Sequence, residues 1–359
     1  MNHTYAVILA GGRGERFWPL STRSRPKQFI SLFGGKPLLS LAVERLHGVV
    51  APANTFVITS RDLVQTTLEA VHGIPAQNVV GEPCGRDTAA AVALACGLVK
   101  RRDPDGVVCI LTADQLMTDV VTFRQTLQDS VKVARARDAI VTIGIAPTYP
   151  STGFGYIEAG QTLPENTITL FNDAMRFVEK PNLVNAERYL ASGHYYWNAG
   201  MFIWRCSVML KAFAEQAPDM AQLAETVAAT PAPELDPLLD SVYPDLRKIS
   251  IDYAVMEKAS NIVMARGTFG WDDVGTWPAI AGHFAPDTNG NIILGACEAM
   301  NAENNIVVSE NRLTALIGVR GLVVVQSENA TLVCPREMAQ DVKHILNRIA
   351  RRPDGEKYV

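Results

Sequence analysis

The sequence predicts an α/β fold: a Rossmann-like, doubly wound, mostly parallel sheet followed by a small C-terminal β-rich domain. Three observations support this. Through the first half, short runs that are apolar on successive residues alternate with longer stretches of helical spacing, as parallel strands buried on both faces require. After Asp287 the pattern becomes short strands at near-regular spacing, joined by Asn, Gly and Glu turns. The chain has 359 residues, 48% of them hydrophobic, core enough for about two domains.

In order, Ala6–Leu9, Thr55–Thr59, Val107–Leu111 and Ala139–Ile145 read as the parallel strands. Leu38–Val49, Asp62–Val71, Thr88–Arg102 and Val120–Arg137 read as the crossover helices. The middle is richer in glycine and aromatics, with strands expected at Gly155–Ala159, Met175–Glu179 and Ala199–Trp204 and a short helix at Val184–Ser192. Pro218–Pro237 reads as a surface helix followed by a loop, Leu246–Lys258 as a helix and Asn261–Arg266 as a strand. The tail strands are Asn305–Ser309, Leu313–Gly318, Leu322–Gln326 and Ala330–Cys334, closed by a helix from Arg336 to Arg351. These strands suit a β-helix-like or other small β domain. A boundary near Gly282–Asn289 divides the chain into 1–285 and 286–359.

Composition narrows the function. With 33 Lys and Arg against 37 Asp and Glu, the net charge is -4, which argues against a general nucleic-acid partner. The six cysteines never approach a CxxC spacing, so neither a zinc ribbon nor a redox pair is expected, and a reduced, cytoplasmic chain is. The start of the chain lacks the pattern of a signal peptide, and no apolar run is long enough to span a bilayer.

One segment departs from the mild acidity. Leu9 is followed by Ala10, Gly11, Gly12, Arg13, Gly14, Glu15 and Arg16, and then by Phe17-Trp18-Pro19, Arg23, Arg25, Pro26 and Lys27. Five cations and one carboxylate lie between Arg13 and Lys27. Glycines there let backbone N–H groups approach phosphates. A dinucleotide fingerprint fails because Phe17 stands at its third glycine position. A Walker loop ending at Lys36 fails at Ile30 and Pro37.

The run LAGGRGERFWPLSTRSRPKQF, from Leu9 to Phe29, resembles the signature of the sugar-nucleotide pyrophosphorylases, a nucleotidyltransferase family with a GT-A-like fold. The resemblance continues through GEPCGRDTAAA, LTAD, STGFGYI, FVEKP, YWNAGMFIW, SIDYAVMEK and GWDDVGTW. Trp-Pro and Pro-Lys-Gln-Phe make it most similar to the GDP-mannose-forming branch. The implied reaction is attack of mannose 1-phosphate on the α-phosphorus of GTP, with Mg²⁺ or another divalent cation. A phosphate nucleophile is already anionic, so positioning and charge neutralisation carry the catalysis.

The resemblance implies roles residue by residue. Arg16 and Lys27 would meet the triphosphate, Lys27 near the reacting phosphate, with Leu9, Ala10, Gly11, Gly12, Arg13 and Gly14 lining the nucleotide. Asp114 and Asp273 would be catalytic metal ligands, Asp273 preferred over Asp272. Glu82, Gly85, Arg86, Asp87 and Thr88 form the implied base-side loop, and Gly153, Tyr156, Glu179, Lys180, Asn198 and Gly200 the sugar-phosphate side. The family usually has Asn where Asp87 stands and His where Gln115 stands; Asp87 can still accept from the guanine N1–H and N2–H₂ edge. Alternatives are UTP or dTTP with glucose 1-phosphate, another manno-configured sugar phosphate, or a non-catalytic nucleotide-sugar sensor. The length leaves no room for the isomerase domain fused in longer relatives, so one activity is expected, as is a homodimer.

Overall fold

The computed structural model describes residues 3–12 and 14–359. The chain divides into two compact units, each discontinuous in sequence: residues 1–11, 42–113 and 117–271, and residues 12–41, 114–116 and 272–359.

The first unit is built on a nine-stranded sheet. Its strands are β1 (Thr4–Ala10), β2 (Thr55–Ser60), β3 (Val79–Glu82), β4 (Val107–Thr112), β5 (Ile140–Ile145), β6 (Tyr156–Leu163), β7 (Phe171–Val178), β8 (Tyr195–Arg205) and β9 (Ile262–Gly267). Their order is β3-β2-β1-β4-β8-β5-β9-β7-β6. The first four are mutually parallel, as are β5 and β9. Strand β8 runs antiparallel between these blocks, so the sheet is mixed. The four expected N-terminal strands form within a few residues of their expected limits. Val79–Glu82 was not anticipated, because four residues are too few to show a period.

The helices are α1 (Leu38–Glu44), α2 (Val64–Ala70), α3 (Asp87–Arg102), α4 (Val120–Ala136), α5 (Leu183–Ser192), α6 (Cys206–Gln216), α7 (Pro218–Ala229) and α8 (Leu235–Val242). Among the described residues none is long and apolar enough to cross a membrane. Two expectations need correction. Helix α7 is not a surface helix: Met220, Leu223, Ala224 and Val227 are buried, forming the apolar stripe of a helix that faces a core. A Cβ on Gly97 of α3 would lie 2.6 Å from the Ala224 carbonyl, so small residues let the two helices approach closely. Leu246–Lys258 is not one helix; only Asp252–Met256 winds, as a π-turn. The preceding backbone is held elsewhere: Ala89 N–H donates to the Ile249 carbonyl at 3.2 Å and Ile251 N–H to Thr88 Oγ1 at 2.9 Å.

The second unit carries the tail strands β10 (Ile292–Leu294), β11 (Cys297–Met300), β12 (Ile306–Ser309), β13 (Thr314–Ile317), β14 (Leu322–Gln326) and β15 (Thr331–Pro335). Strands β10, β12 and β14 stack in parallel, as do β11 and β13, the rung pattern of a β-helix; β15 adds antiparallel to β14. Buried Asn291 and Asn305 join successive rungs. Asn305 donates from its backbone and side-chain nitrogens to Asn291 Oδ1 at 3.0 Å, satisfying polar groups that burial would otherwise leave costly. Helices α9 (Trp277–Ala281) and α10 (Val342–Ala350) complete this unit. Its core gathers Phe17, Trp18, Val274, Trp277, Ile306, Val323 and Val342.

Candidate active site

Within the second unit, the glycine-rich turn and the two acidic motifs meet. Gly14 has φ +60°, and a Cβ there would lie 2.2 Å from Lys27 Cβ. Both the left-handed backbone and the close approach therefore require glycine. Lys27 is buried; its Nζ donates to Asp114 Oδ2 at 3.0 Å and to the Asp273 carbonyl at 2.6 Å. The ammonium also sits 5.7 Å from the Phe17 ring centroid. Gly14, Glu15, Arg16, Phe17, Lys27, Asp114, Asp273, Gly275 and Lys343 line a cavity of about 380 Å³. Gly11 and Gly12 are exposed. Arg13 lies outside the described residues.

The Asp272–Asp273 pair separates into two roles. Asp272 Oδ1 accepts from Val274 N–H at 2.6 Å and Oδ2 pairs with His283 Nε2 at 2.7 Å. Asp272 is thus committed to the scaffold, and Asp273 lines the cavity. Val274, β-branched, is held at φ +49°, an outlying conformation that packing must enforce. Burial raises the Asp273 carboxyl above its usual range; Asp114 and Asp272 add to this, while Lys27 and Arg16 oppose it. The Asp114 and Asp273 carboxylates are hard oxygen donors of the kind a divalent cation takes. Among the described residues no cluster of three or more protein ligands forms a metal site by itself.

The first unit carries a second group of predicted residues. Glu179 Oε1 accepts from Lys180 Nζ, and Lys180 holds φ +44°. A Cβ on Gly155 would stand 2.5 Å from Glu179 Oε2, so glycine there makes room for the carboxylate. Asn198 is fixed on both ends: its Oδ1 accepts from Thr142 Oγ1 at 3.2 Å and Gly200 N–H at 3.1 Å, and its Nδ2 donates to Asp252 at 3.1 Å. Burial, then repulsion from Glu179, pushes the Asp252 carboxyl up to about 6. Desolvation works to lower Lys180, but Glu179 and Asp252 hold it above its usual range. Tyr156 is fully buried and its hydroxyl donates to the Ser151 carbonyl at 2.9 Å, behind the loop that carries exposed Gly153.

The Glu82 loop forms the third group, also in the first unit. Glu82 is buried and burial raises its carboxyl to about 7, although the Tyr243 hydroxyl donates to Oε1 at 2.6 Å. Leu9 and Ala10 end β1, and a Cβ on Gly11 would lie 3.5 Å from Glu82 Oε2. Arg86 donates to the carbonyls of Tyr243 and Pro244, tying the loop to that segment. Asp87 is exposed at φ +66°, its Oδ1 accepting from Thr88 N–H at 2.8 Å. Gly85 is exposed. Thr88 Oγ1 receives the Ile251 N–H. Sequence reading missed Tyr243, Asp252 and Lys343. SIDYAVMEK flagged the segment of Asp252, but isolated residues on helices carry no comparable signal.

A glycine turn beside a cationic loop and two acidic turns offer the donors and charges that phosphate chemistry calls on. A nucleotidyl transferase family profile matches residues 5–289, and the chain belongs to that family. Residues 298–349 match a mannose phosphate isomerase/GMP-like β-helix domain, in agreement with the stacked rungs. Curated relatives are mannose-1-phosphate guanylyltransferases. That of Escherichia coli K12 is 35% identical over 98% of this chain and 74% of its own length; that of Klebsiella pneumoniae is 37% identical over the same shares. A crystal structure from Thermus thermophilus, described as a mannose-1-phosphate geranyltransferase, superposes with TM-score 0.86 at 35% identity, covering 97% of this chain and 99% of its own.

Proposed function

We propose that this protein is a mannose-1-phosphate guanylyltransferase, converting GTP and α-D-mannose 1-phosphate to GDP-mannose and diphosphate. The observation that carries this reading is Lys27, bound at once to Asp114 and the Asp273 carbonyl behind the Gly14 turn, in a chain matched almost end to end by relatives of that name. A phosphate oxygen of the sugar phosphate attacks the α-phosphorus. The bond from that phosphorus to the bridging oxygen breaks, and diphosphate leaves with the electron pair.

Lys27 and Arg16 neutralise the charge that develops on the phosphates, while Gly11, Gly12 and Gly14 keep the loop backbone close to them. Asp114 and Asp273 would hold Mg²⁺, which when bound polarises phosphate oxygens. Glu82 and Asp87 offer acceptors to guanine, with Gly85 and Thr88 shaping the loop. Glu179 accepts sugar hydroxyls, Lys180 meets the sugar phosphate, Asn198 and Gly200 complete that side, and Asp252 fixes the Asn198 amide. Residues 1–285 form the catalytic domain and 286–359 a tail with an assembly role in a cytoplasmic homodimer that supplies GDP-mannose for glycan synthesis.

The test is diphosphate release across all pairs of nucleoside triphosphate and sugar 1-phosphate with Mg²⁺. GTP with mannose 1-phosphate should dominate. A preference for UTP or dTTP with glucose 1-phosphate overturns the substrates, and GDP-mannose binding without turnover favours a sensor.

A further inference from the structure

We propose that Lys343, on the tail helix α10, is a phosphate-binding residue that grips the β,γ-phosphate end of the triphosphate and hence the departing diphosphate. The proposal rests on the nucleotidyl-transfer reading of the cavity that Lys343 helps to line. Three cations border that cavity. Lys27 also bonds Asp114 and the Asp273 carbonyl, and Arg16 also offsets the charge of Asp273, so both share their charge with the carboxylates. Lys343 makes no hydrogen bond or ion pair among the described residues, which leaves its ammonium available to an incoming anion.

Helix α10 holds Lys343 in place. Val342 is buried, and Leu346 and Ile349 pack with it against the cluster of Phe17, Trp18 and Trp277. Positions i, i+4 and i+7 thus set the helix rotation, and the second helical position, Lys343, turns to the cavity. Trp18 Nε1 donates to the Tyr358 carbonyl at 2.7 Å, binding the same loop to the end of the chain. A lysine in the first helical turn opposes the helix dipole, and Asp341 makes no side-chain capping bond there. Unfavourable for the isolated helix, an ammonium placed there suits a polyanion better than a sugar or a base.

The test measures Lys343→Ala and Lys343→Arg against wild type. Steady-state rates are read in both directions with Mg²⁺, and inorganic diphosphate binding is read by calorimetry. Loss of one charge-assisted contact should raise KM for GTP and for diphosphate about tenfold or more. KM for mannose 1-phosphate and for GDP-mannose should stay within about twofold. Arginine should restore most of the loss, and the Tm of the alanine variant should be unchanged or higher. Unchanged diphosphate binding, or a rise in all four KM values together with a lower Tm, overturns the proposal. Diphosphate binding that depends on Lys343 in a wild type without turnover would instead overturn the catalytic reading alone.

Discussion

In the first unit two acids, buried Glu82 and half-buried Asp252, are pushed by desolvation towards their neutral forms at about 7 and about 6. In the second unit an ammonium, Lys27, is bound to a carboxylate and to the carbonyl of a second acidic residue. The first arrangement offers oxygen acceptors beside Tyr243 and Asn198, which suit ligands with O–H and N–H groups. The second suits phosphate, which offers only acceptors and charge. The two groups thus differ in what stands at their centre, with Lys180 adding a cation beside the acids of the first.

The largest expected effect falls on the cationic side. Lys27→Ala should lower kcat by about 10²–10³, the scale seen when one charge-stabilising donor is removed, while circular dichroism shows a folded chain. A loss below tenfold would assign Lys27 to the scaffold. Gly14→Ala comes next, because it displaces Lys27 and forces a left-handed backbone on alanine. It should cost about 1–3 kcal/mol of stability and at least tenfold in rate, read by thermal melting and turnover.

The acidic side should respond to pH. If ionised Glu82 accepts from the base, KM for GTP should rise about tenfold per unit below pH 7, and Glu82→Gln should flatten the profile; a wild-type profile flat from pH 8 to 6 removes Glu82 from base reading. The same group affects stability with a definite sign. Its folded value, about 7, lies above its ordinary 4.5, so the stabilisation is fully present below pH 4.5 and is lost as pH rises through 7. The smallest expected effect on turnover is that of Asn305→Ala between β-helix rungs. It should lower stability by about 1–3 kcal/mol, read as a lower Tm, because Asn291 Oδ1 loses the Asn305 amide and Leu322 N–H loses the Asn305 Oδ1 acceptor, with kcat within twofold.

Contiguous features were legible. The Arg13–Lys27 loop, LTAD and GWDDVGTW each place chemistry within a few residues of a strand or turn, where type and spacing survive in one dimension. Asp273 could be preferred to Asp272, and the bonds of Asp272 to Val274 and His283 give that preference a physical basis. Tyr243 behind Glu82, Asp252 beneath Asn198 and Lys343 beside Arg16 were not legible, because each is an ordinary residue of its local element. Helix α7 was misplaced for a related reason: its alanines look indifferent to burial until Gly97 lies opposite Ala224.

By itself the sequence determined the alternation of strands and helices, the glycine turn and the residue types offered to phosphate, sugar and base, all set by local periodicity and backbone sterics. Tertiary structure alone decided that Lys27 would bind Asp114 and Asp273, and that Gly12–Leu41 would share a compact unit with the tail. It also decided which carboxylates would be lifted by burial. Desolvation and charge pairing depend on atoms distant along the chain, and only the folded arrangement brings them within reach.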